Sequence, residues 1–199
     1  HPGKIRSVLA DWGMRLAGDD VISGKPAAVL PMASTEAIVA SGRGATILAF
    51  AGTEPLSLPQ WLRNLRFRAG AASTAKGFQE AFDAVEKKIL PLISARTAAD
   101  GAVFVTGHSL GGALAVIAAH VLQSNRIEVA GVYTYGMPRP GDKAFADGIY
   151  DPALGARTYR LVHGADIVAT VAPSEFGSSH VGRLLRCRSG AHFDPATLS

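Results

Sequence analysis

The segment Gly-His-Ser-Leu-Gly-Gly at residues 107–112 constrains the fold most, because of what lies on either side of it. Residues 102–106 form a short apolar, β-branched run, which predicts a buried strand. Residues 113–123 carry apolar side chains at helical spacing, which predicts a helix. A strand, a Gly-x-Ser-x-Gly turn and a helix form the context of a nucleophile elbow. We therefore predict that Ser109 is a nucleophile. The alternative, a helix N-cap serine after a glycine turn, leaves the glycine spacing without a purpose.

The length and composition favour one globular domain over residues 1–199. Apolar residues make up 48% of the chain and charged residues 18%. The single cysteine, Cys187, excludes a disulfide within these residues and any zinc site with cysteine-pair spacing. It lies in an arginine-rich, strand-like segment, where we interpret it as a packed thiol.

The charge pattern limits the classes of partner. The formal charge is +4 at pH 7, and the basic residues are scattered rather than clustered with aromatics. We therefore predict no nucleic-acid partner, and only a mild attraction to anionic lipid or ester interfaces. No apolar run approaches the roughly 18 residues that a membrane span needs, so we predict no transmembrane segment. The chain opens without Met, so a secreted protein whose signal peptide has been removed is one interpretation, and the compartment stays open.

Hydrophobic spacing outside the elbow predicts alternating helices and strands. In chain order these are a helix over 5–16 that ends near Gly18, strands over 37–40 and 46–50, a helix over 77–92 with Pro91 at its frayed end, a strand over 129–135, a short helix after Asp142, and a strand over 158–162. This alternation predicts an α/β fold, with a mostly parallel central sheet and helices on both faces.

A nucleophilic serine needs a general base, and the base needs an acid that fixes its tautomer. In α/β-hydrolases the chain order is serine, acid, histidine. Asp166 fits the acid, because it follows the apolar run 159–164 and would lie at the carboxyl end of a strand. Asp142, Asp147 and Asp151 belong to a surface helix and its exit, where a carboxylate is commonly solvated or caps the helix.

Six histidines compete for the role of base. Four of them are set aside. His1 is terminal and His108 is fixed in the elbow. His120 lies far along the elbow helix, and we interpret His163 as a buried core histidine. His192 lies in a late loop, residues 189–193, from which it can reach over the sheet edge, so we predict His192 as the base. His180 stays open as the alternative.

Acyl transfer also requires hydrogen-bond donors for the oxyanion, each of which contributes on the order of 10²–10³ in rate. The backbone N–H of Leu110 is the first predicted donor, since it follows the nucleophile. Thr53, after the strand over 46–50, is the second, with a plain turn residue as the alternative.

A short amphipathic segment follows the predicted oxyanion loop. Residues 55–65 carry apolar side chains at helical spacing, which fits a mobile lid or, equally, a helix packed permanently on the core. The residues predicted to bind substrate are Leu58, Trp61, Leu62, Val168 and Pro173.

Five segments together resemble the class 3 (fungal-type) lipase family, in the same order along the chain. The resemblance covers an oxyanion strand, a Gly-Phe helix start, the elbow, a Tyr-Gly-Met-Pro-Arg-Pro-Gly-Asp loop and the strand that carries the catalytic aspartate, at residues 49–53, 77–78, 107–112, 135–142 and 160–168. The elbow is shared by many hydrolases, whereas the last two motifs are much more specific.

The resemblance also separates the two candidate bases. Residues 176–182 are similar to the family's Phe-Gly-x-x-His-x-Gly segment, whose histidine is structural, and this favours His192 over His180 as the base. The sequence departs from the family at Ala51, where Arg is usual, and at Arg183, where Glu is common. It also lacks the cysteines of the secreted fungal members.

The resemblance implies a serine carboxylester hydrolase of α/β-hydrolase fold that acts on acylglycerols or other lipid esters. No metal and no organic cofactor are implied, and the partners would be the lipid or small-molecule ester and, transiently, a lipid interface. A phospholipase A1 or a feruloyl-type esterase would use the same residues. A catalytically silent relative that binds lipid or another partner is the non-enzymatic alternative.

Overall fold

A mixed eight-stranded sheet forms the centre of the molecule. The computed structural model describes residues 2–18, 21–26, 34–52, 71–164, 168 and 177–187. In chain order the strands are β1 (Arg15–Leu16), β2 (Ile22–Gly24), β3 (Thr35–Gly42), β4 (Ala45–Phe50), β5 (Ala102–His108), β6 (Val129–Tyr135), β7 (Gly141–Asp142), β8 (Thr158–His163), β9 (Ser178–Ser179) and β10 (Arg183–Cys187). The helices are α1 (Pro2–Asp11), α2 (Ala71–Asp100), α3 (Leu110–Ser124), a π-helical segment (Ala144–Tyr150), α4 (Asp151–Leu154) and a 3₁₀ turn (Gly155–Arg157).

The strand order β1-β3-β4-β5-β6-β8-β10 brings the chemically important strand ends together. β3 pairs antiparallel with β1, β2 and β4, whereas β4, β5, β6, β8 and β10 run parallel to one another. β7 and β9 form a separate two-stranded ribbon. The five parallel strands therefore end at one edge of the sheet, which we name the carboxyl edge. Their starts form the opposite edge, which we name the amino edge.

Helices α2 and α3 bury one face of the sheet. Side chains alternate along β4, and the buried set includes Leu48 and Phe50. Phe50 meets Phe82 of α2 edge to face, with ring centroids 6.1 Å apart. On the other face Tyr133 stacks on Tyr159 at 5.3 Å and stays 37% exposed. Helix α1 contacts β1 at the end of the sheet. The predicted α/β-hydrolase architecture, a mostly parallel sheet flanked by helices, is confirmed.

The predicted first helix is too long. Helix α1 ends at Asp11, and Leu16 belongs to β1, where it pairs with Ala40. The helix stops because Gly13 adopts a φ of +69°, a conformation that glycine reaches without steric cost. The spacing of the apolar side chains continues past this point, so periodicity alone could not locate the end.

The second long helix, α2, continues through Pro91 to Asp100, so the interpretation of Pro91 as its end is wrong. A proline inside a helix costs about 3 kcal/mol, since one hydrogen bond is lost and the ring crowds the preceding turn. Ile89 and Ile93, on either side of Pro91, are both fully buried in the core. Burying such a side chain stabilises by about 1.5–3 kcal/mol, and this offsets most of the proline's cost.

The remaining predicted elements are present with small shifts at their ends. The helical stretch after Asp142 begins as a π-helical segment, and the Asp142 carboxylate accepts the N–H of Phe145 at 2.7 Å, as expected for a capping residue. Cys187 is fully buried at the end of β10. Among the helices within the described ranges, none has both the length and the apolar character that crossing a membrane requires.

Candidate active site

Ser109 occupies a strained turn between β5 and α3. Its φ of +54° and ψ of −125° lie in a region that residues other than glycine seldom adopt. The surrounding backbone holds this conformation, because the Ser109 N–H donates to Tyr135 O at 2.8 Å and the Gly112 N–H donates to Ser109 O at 2.9 Å. Such a conformation costs on the order of 1–3 kcal/mol, and it persists only where neighbours over-determine it. This is the geometry of a nucleophile elbow.

The glycines around Ser109 are required by close contacts with neighbouring backbone and with Met137. A Cβ at Gly107 would overlap the carbonyl group of Gly111. A Cβ at Gly112 would lie 2.9 Å from the Met137 Cβ, closer than real Cβ atoms approach another carbon. The strand and the helix can therefore approach this closely only because side chains are missing at these positions.

The Ser109 side chain is almost completely enclosed, with 1% of the residue exposed. Its Oγ has no hydrogen-bond partner among the residues that the structure describes. Leaving a buried hydroxyl unsatisfied costs about 1–3 kcal/mol, so each such group requires an explanation. A hydroxyl kept for reaction is one such explanation.

The start of α3 provides an electropositive environment next to Ser109. Leu110 is the first residue of this 15-residue helix, so its N–H has no intrahelical acceptor four residues earlier. The aligned peptide dipoles add a partial positive charge at the same end. A developing negative charge beside Ser109 would therefore meet a donor and a favourable field, and the role of Leu110 in holding the oxyanion stays a prediction.

Two contacts that the sequence analysis missed bring the end of β4 against the elbow. A Cβ at Gly111 would lie 2.5 Å from Phe50 O and 2.8 Å from Ala51 O. A Cβ at Gly52 would lie 2.7 Å from His108 O. Thr53, the predicted second oxyanion donor, follows immediately and lies outside the described residues. The available signal was the glycines themselves, since each marks a close backbone approach.

The strands that lead to the predicted acid and base end side by side at the carboxyl edge. His163, the last residue of β8, pairs with Cys187, the last residue of β10. The Gly164 N–H then donates to Cys187 O at 2.7 Å. Asp166 and His192 themselves lie outside the described residues.

His180, the alternative base, lies before β10 begins and therefore near the amino edge. A Cβ at Gly182 would lie 2.6 Å from the Cβ of Thr158, the first residue of β8. Arg160 Nε donates to Val181 O at 2.9 Å. Burial is the main cause that lowers the pKa of this Arg160 guanidinium. The length of β8, about 16 Å at 3.3 Å per residue, thus separates this segment from the edge where Ser109 lies.

Two further histidines, His120 and His163, lie within the described residues. His120 meets Phe145 edge to face, with ring centroids 5.7 Å apart, and burial lowers the pKa of its imidazole. The interpretation of His163 as a buried core histidine is wrong, because its side chain is exposed. It lies at the last position of β8, where the strand leaves the packed part of the sheet.

The predicted substrate-binding residues are described only in part. Val168 is 6% exposed and contributes to the interior. The remaining four lie outside the described residues, namely Leu58, Trp61, Leu62 and Pro173.

A family model described as lipase (class 3) matches residues 47–176, a range that includes most of β4, the elbow and β8. The chain belongs to this family. The resemblance inferred from the five sequence segments is thereby confirmed.

Several relatives of this class 3 lipase family member come from fungi. The secreted mono- and diacylglycerol lipase 1 of Fusarium solani is 35% identical over 133 residues, which cover 63% of this chain and 39% of the relative. A lipase of Rhizomucor miehei is 29% identical over 160 residues, covering 74% of this chain and 44% of the relative. This chain thus spans about two fifths of the length of these relatives. The solved structure of lipase II from Rhizopus niveus superposes with a TM-score of 0.72 at 24% identity, covering 94% of this chain and 72% of that one.

Proposed function

We propose that this chain hydrolyses ester bonds of acylglycerols and related lipid esters through an acyl-enzyme on Ser109. The observation that carries the proposal is the conformation of Ser109, held at positive φ between β5 and α3. Binding alone gives no reason to keep, on a strained turn, a buried hydroxyl that has no partner among the described residues. The membership of the class 3 lipase family supports the same reaction.

The proposed reaction proceeds through two tetrahedral intermediates. His192 takes the proton of Ser109 Oγ as this oxygen attacks the ester carbonyl, and the N–H groups of Leu110 and Thr53 hold the oxyanion. The alcohol leaves with the proton from His192, which gives the acyl-enzyme. Water then attacks the acyl carbon, His192 takes its proton and returns it to Ser109, and the fatty acid leaves. Asp166 orients His192 and stabilises its charged form.

The strand ends support Asp166 and His192 in these roles. Adjacent strands lie about 4.8 Å apart, so the ends of β8 and β10 lie roughly 10 and 14 Å from the end of β5. His192 is five residues beyond Cys187, and these five Cα–Cα steps can span up to about 17 Å. Asp166 is two residues beyond Gly164, and it needs to reach the imidazole of His192 but not Ser109. His180 would have to cross the length of β8, so this geometry favours His192.

The substrate class rests on the relatives. The Fusarium solani relative is named a mono- and diacylglycerol lipase, and this supports acylglycerols as substrates here. We propose that the acyl chain lies among Leu58, Trp61, Leu62, Val168 and Pro173. We also propose that the face bearing residues 55–65 makes the transient contact with a lipid interface. The same relative is named a secreted lipase, and this supports an extracellular place of action here. We also propose that residues 1–199 fold as one domain.

A fluorophosphonate probe tests the nucleophile, because it labels an activated serine covalently. Ser109→Ala should abolish both labelling and ester hydrolysis and leave the fold intact, since only a hydroxyl is lost. Ser41→Ala is the matched control. Ser41 is also fully buried, and its hydroxyl likewise lacks a partner among the described residues. Labelling that persists in the Ser109→Ala protein would falsify the assignment.

A panel of substrates tests the substrate class. Hydrolysis should be fastest with mono- or diacylglycerols, compared at equal concentration with phosphatidylcholine and methyl ferulate. Faster release from the sn-1 position of phosphatidylcholine would identify a phospholipase A1. Faster hydrolysis of methyl ferulate would identify a feruloyl-type esterase. A protein that binds these esters without hydrolysing any would be a silent relative.

A further inference from the structure

An exposed tryptophan and valine lie at the end of α1, where the proposed ester hydrolysis does not use them. Trp12 is 59% exposed and Val8 is 37% exposed. The Trp12 N–H donates to Val8 O at 3.3 Å, so the two residues are one helical turn apart and neighbours on the surface. Single exposed apolar side chains are normal, whereas exposed apolar side chains that adjoin one another are candidates for an interaction site.

Three exposed cations lie near these two residues in the fold or along the chain. Arg43, at the β3–β4 turn, donates from Nη1 to Trp12 O at 3.4 Å. Lys4, one helical turn before Val8, is exposed, and so is Arg15, three residues after Trp12. Asp11 is the only acidic residue between positions 4 and 15. We name Lys4, Val8, Trp12 and Arg43 the Trp12 patch.

The Trp12 patch lies at the amino edge, opposite Ser109. A Cβ at Gly42, beside Arg43, would lie 2.5 Å from Gly13 O. A Cβ at Gly101, just before β5, would lie 2.9 Å from Gly44 O. The seven residues of β5 then separate this turn from Ser109, a distance of about 20 Å. A surface bound at the patch would therefore leave the carboxyl edge open to solution.

We propose that the Trp12 patch docks onto an anionic lipid surface. Tryptophan prefers the boundary between head groups and acyl chains, because its ring is apolar and its N–H is polar. Lys4 and Arg43 would face the anionic head groups, and their aliphatic stems extend the apolar contact. The binding orients the molecule with Ser109 directed away from the surface. It does not require that the chain hydrolyse esters.

Flotation with extruded vesicles tests this docking. The vesicles are pure phosphatidylcholine or phosphatidylcholine with 30% phosphatidylglycerol, and the proteins are wild type and Ser109→Ala, which keeps the lipid intact. Both proteins should bind the anionic vesicles more strongly, and raising the salt concentration should weaken the binding because it screens the charges. Binding by Ser109→Ala separates the outcome from that of the proposed hydrolysis.

Three substitutions locate the binding surface. Trp12→Ser should lower partitioning onto anionic vesicles about tenfold, the effect of losing one large buried side chain. Arg43→Asn should lower it about fivefold, and Asn tolerates the positive φ of +54° at this position. Lys87→Gln, an exposed lysine on α2, is the control and should change it less than twofold.

Two results would overturn the docking. The first is equal binding of wild type and Trp12→Ser, with both proteins shown by thermal melting to be folded. The second is a concentration-dependent dimer in sedimentation analysis that Trp12→Ser dissociates, because a second copy of the chain would then cover the patch. Hydrolysis of a soluble ester should be the same for wild type and Trp12→Ser, since the patch is distant from Ser109.

Discussion

At the scale of single residues, Ser109 shows why the sequence could predict the nucleophile but not the burial of its hydroxyl. The glycine spacing and the flanking patterns identify Ser109, because few other turns require glycine on both sides of a serine. The turn that holds it packs against Met137 and the end of β4, which contact Gly112 and Gly111 and come from separate parts of the chain. His163 shows the same limit, since nothing local indicates that its strand position is exposed.

The choice between the two candidate bases is testable at this scale. His192→Ala should lower kcat on the order of 10⁶-fold, as the loss of a base from a catalytic triad does. His180→Ala should leave kcat within about tenfold and lower the free energy of unfolding by about 1–3 kcal/mol, since this half-buried side chain lies in a structural segment. Steady-state kinetics and urea unfolding of both variants give the two quantities. Exchanged phenotypes would make His180 the base.

Helix ends were predicted least well at the scale of elements. The first helix was extended over residues that form β1, and the second was ended at Pro91, although α2 continues to Asp100. In both cases a local rule competed with burial or backbone conformation that only the assembled fold reveals. The strands were predicted better, because β3, β4, β6 and β8 combine β-branched or aromatic composition with clear turn signals.

The glycine at the junction of β5 and α3 should tolerate alanine far less well than the exposed Gly148 of the π-helical segment. Gly107→Ala should lower the free energy of unfolding by about 3 kcal/mol or more, because its Cβ would overlap the backbone of Gly111. Gly148→Ala should change it by no more than about 1 kcal/mol, since no atom lies within 4 Å of the added carbon. Urea unfolding of both variants gives the comparison. Equal midpoints would contradict the close approach at the elbow.

The contact between α3 and the π-helical segment predicts a dependence of stability on pH. Burial lowers the pKa of His120, so the unfolded chain binds the proton more readily than the folded one. The free energy of unfolding should therefore fall as the pH drops below about 6.5, the ordinary pKa of histidine. His120→Gln, which cannot titrate, should show a shallower fall between pH 7 and pH 5 in urea unfolding. Parallel profiles for the two proteins would assign the acid sensitivity to other groups.

At the scale of the whole molecule, the strand order separates two surfaces with different chemistry. The carboxyl edge holds Ser109 and the strand ends that lead to the predicted acid and base, whereas the amino edge holds the Trp12 patch. Alternation of helices and strands was enough to predict the parallel sheet, since crossover connections favour it. The exposure of Trp12 could not be predicted, because residues 5–16 were expected to form one helix with this side chain on its apolar stripe.

Interfacial behaviour of the whole molecule gives the last prediction. If residues 55–65 form a mobile lid, their apolar face favours an open state at an oil–water interface. Activity on a triacylglycerol should then rise sharply once the substrate exceeds its solubility. Trp61→Ser should reduce that rise and leave the hydrolysis of a soluble short-chain ester unchanged.

Ile149→Ser is the matched control, because it removes an apolar side chain that is 50% exposed in the π-helical segment, away from the carboxyl edge. This variant should retain the full rise on emulsified triacylglycerol, since the lid hypothesis depends on the position of the apolar group and not on total surface hydrophobicity. A smooth saturation curve through the solubility limit, with equal effects of Trp61→Ser on soluble and emulsified substrates, would mean that residues 55–65 act as fixed structure. The protein would then behave as an esterase whose site is open in solution.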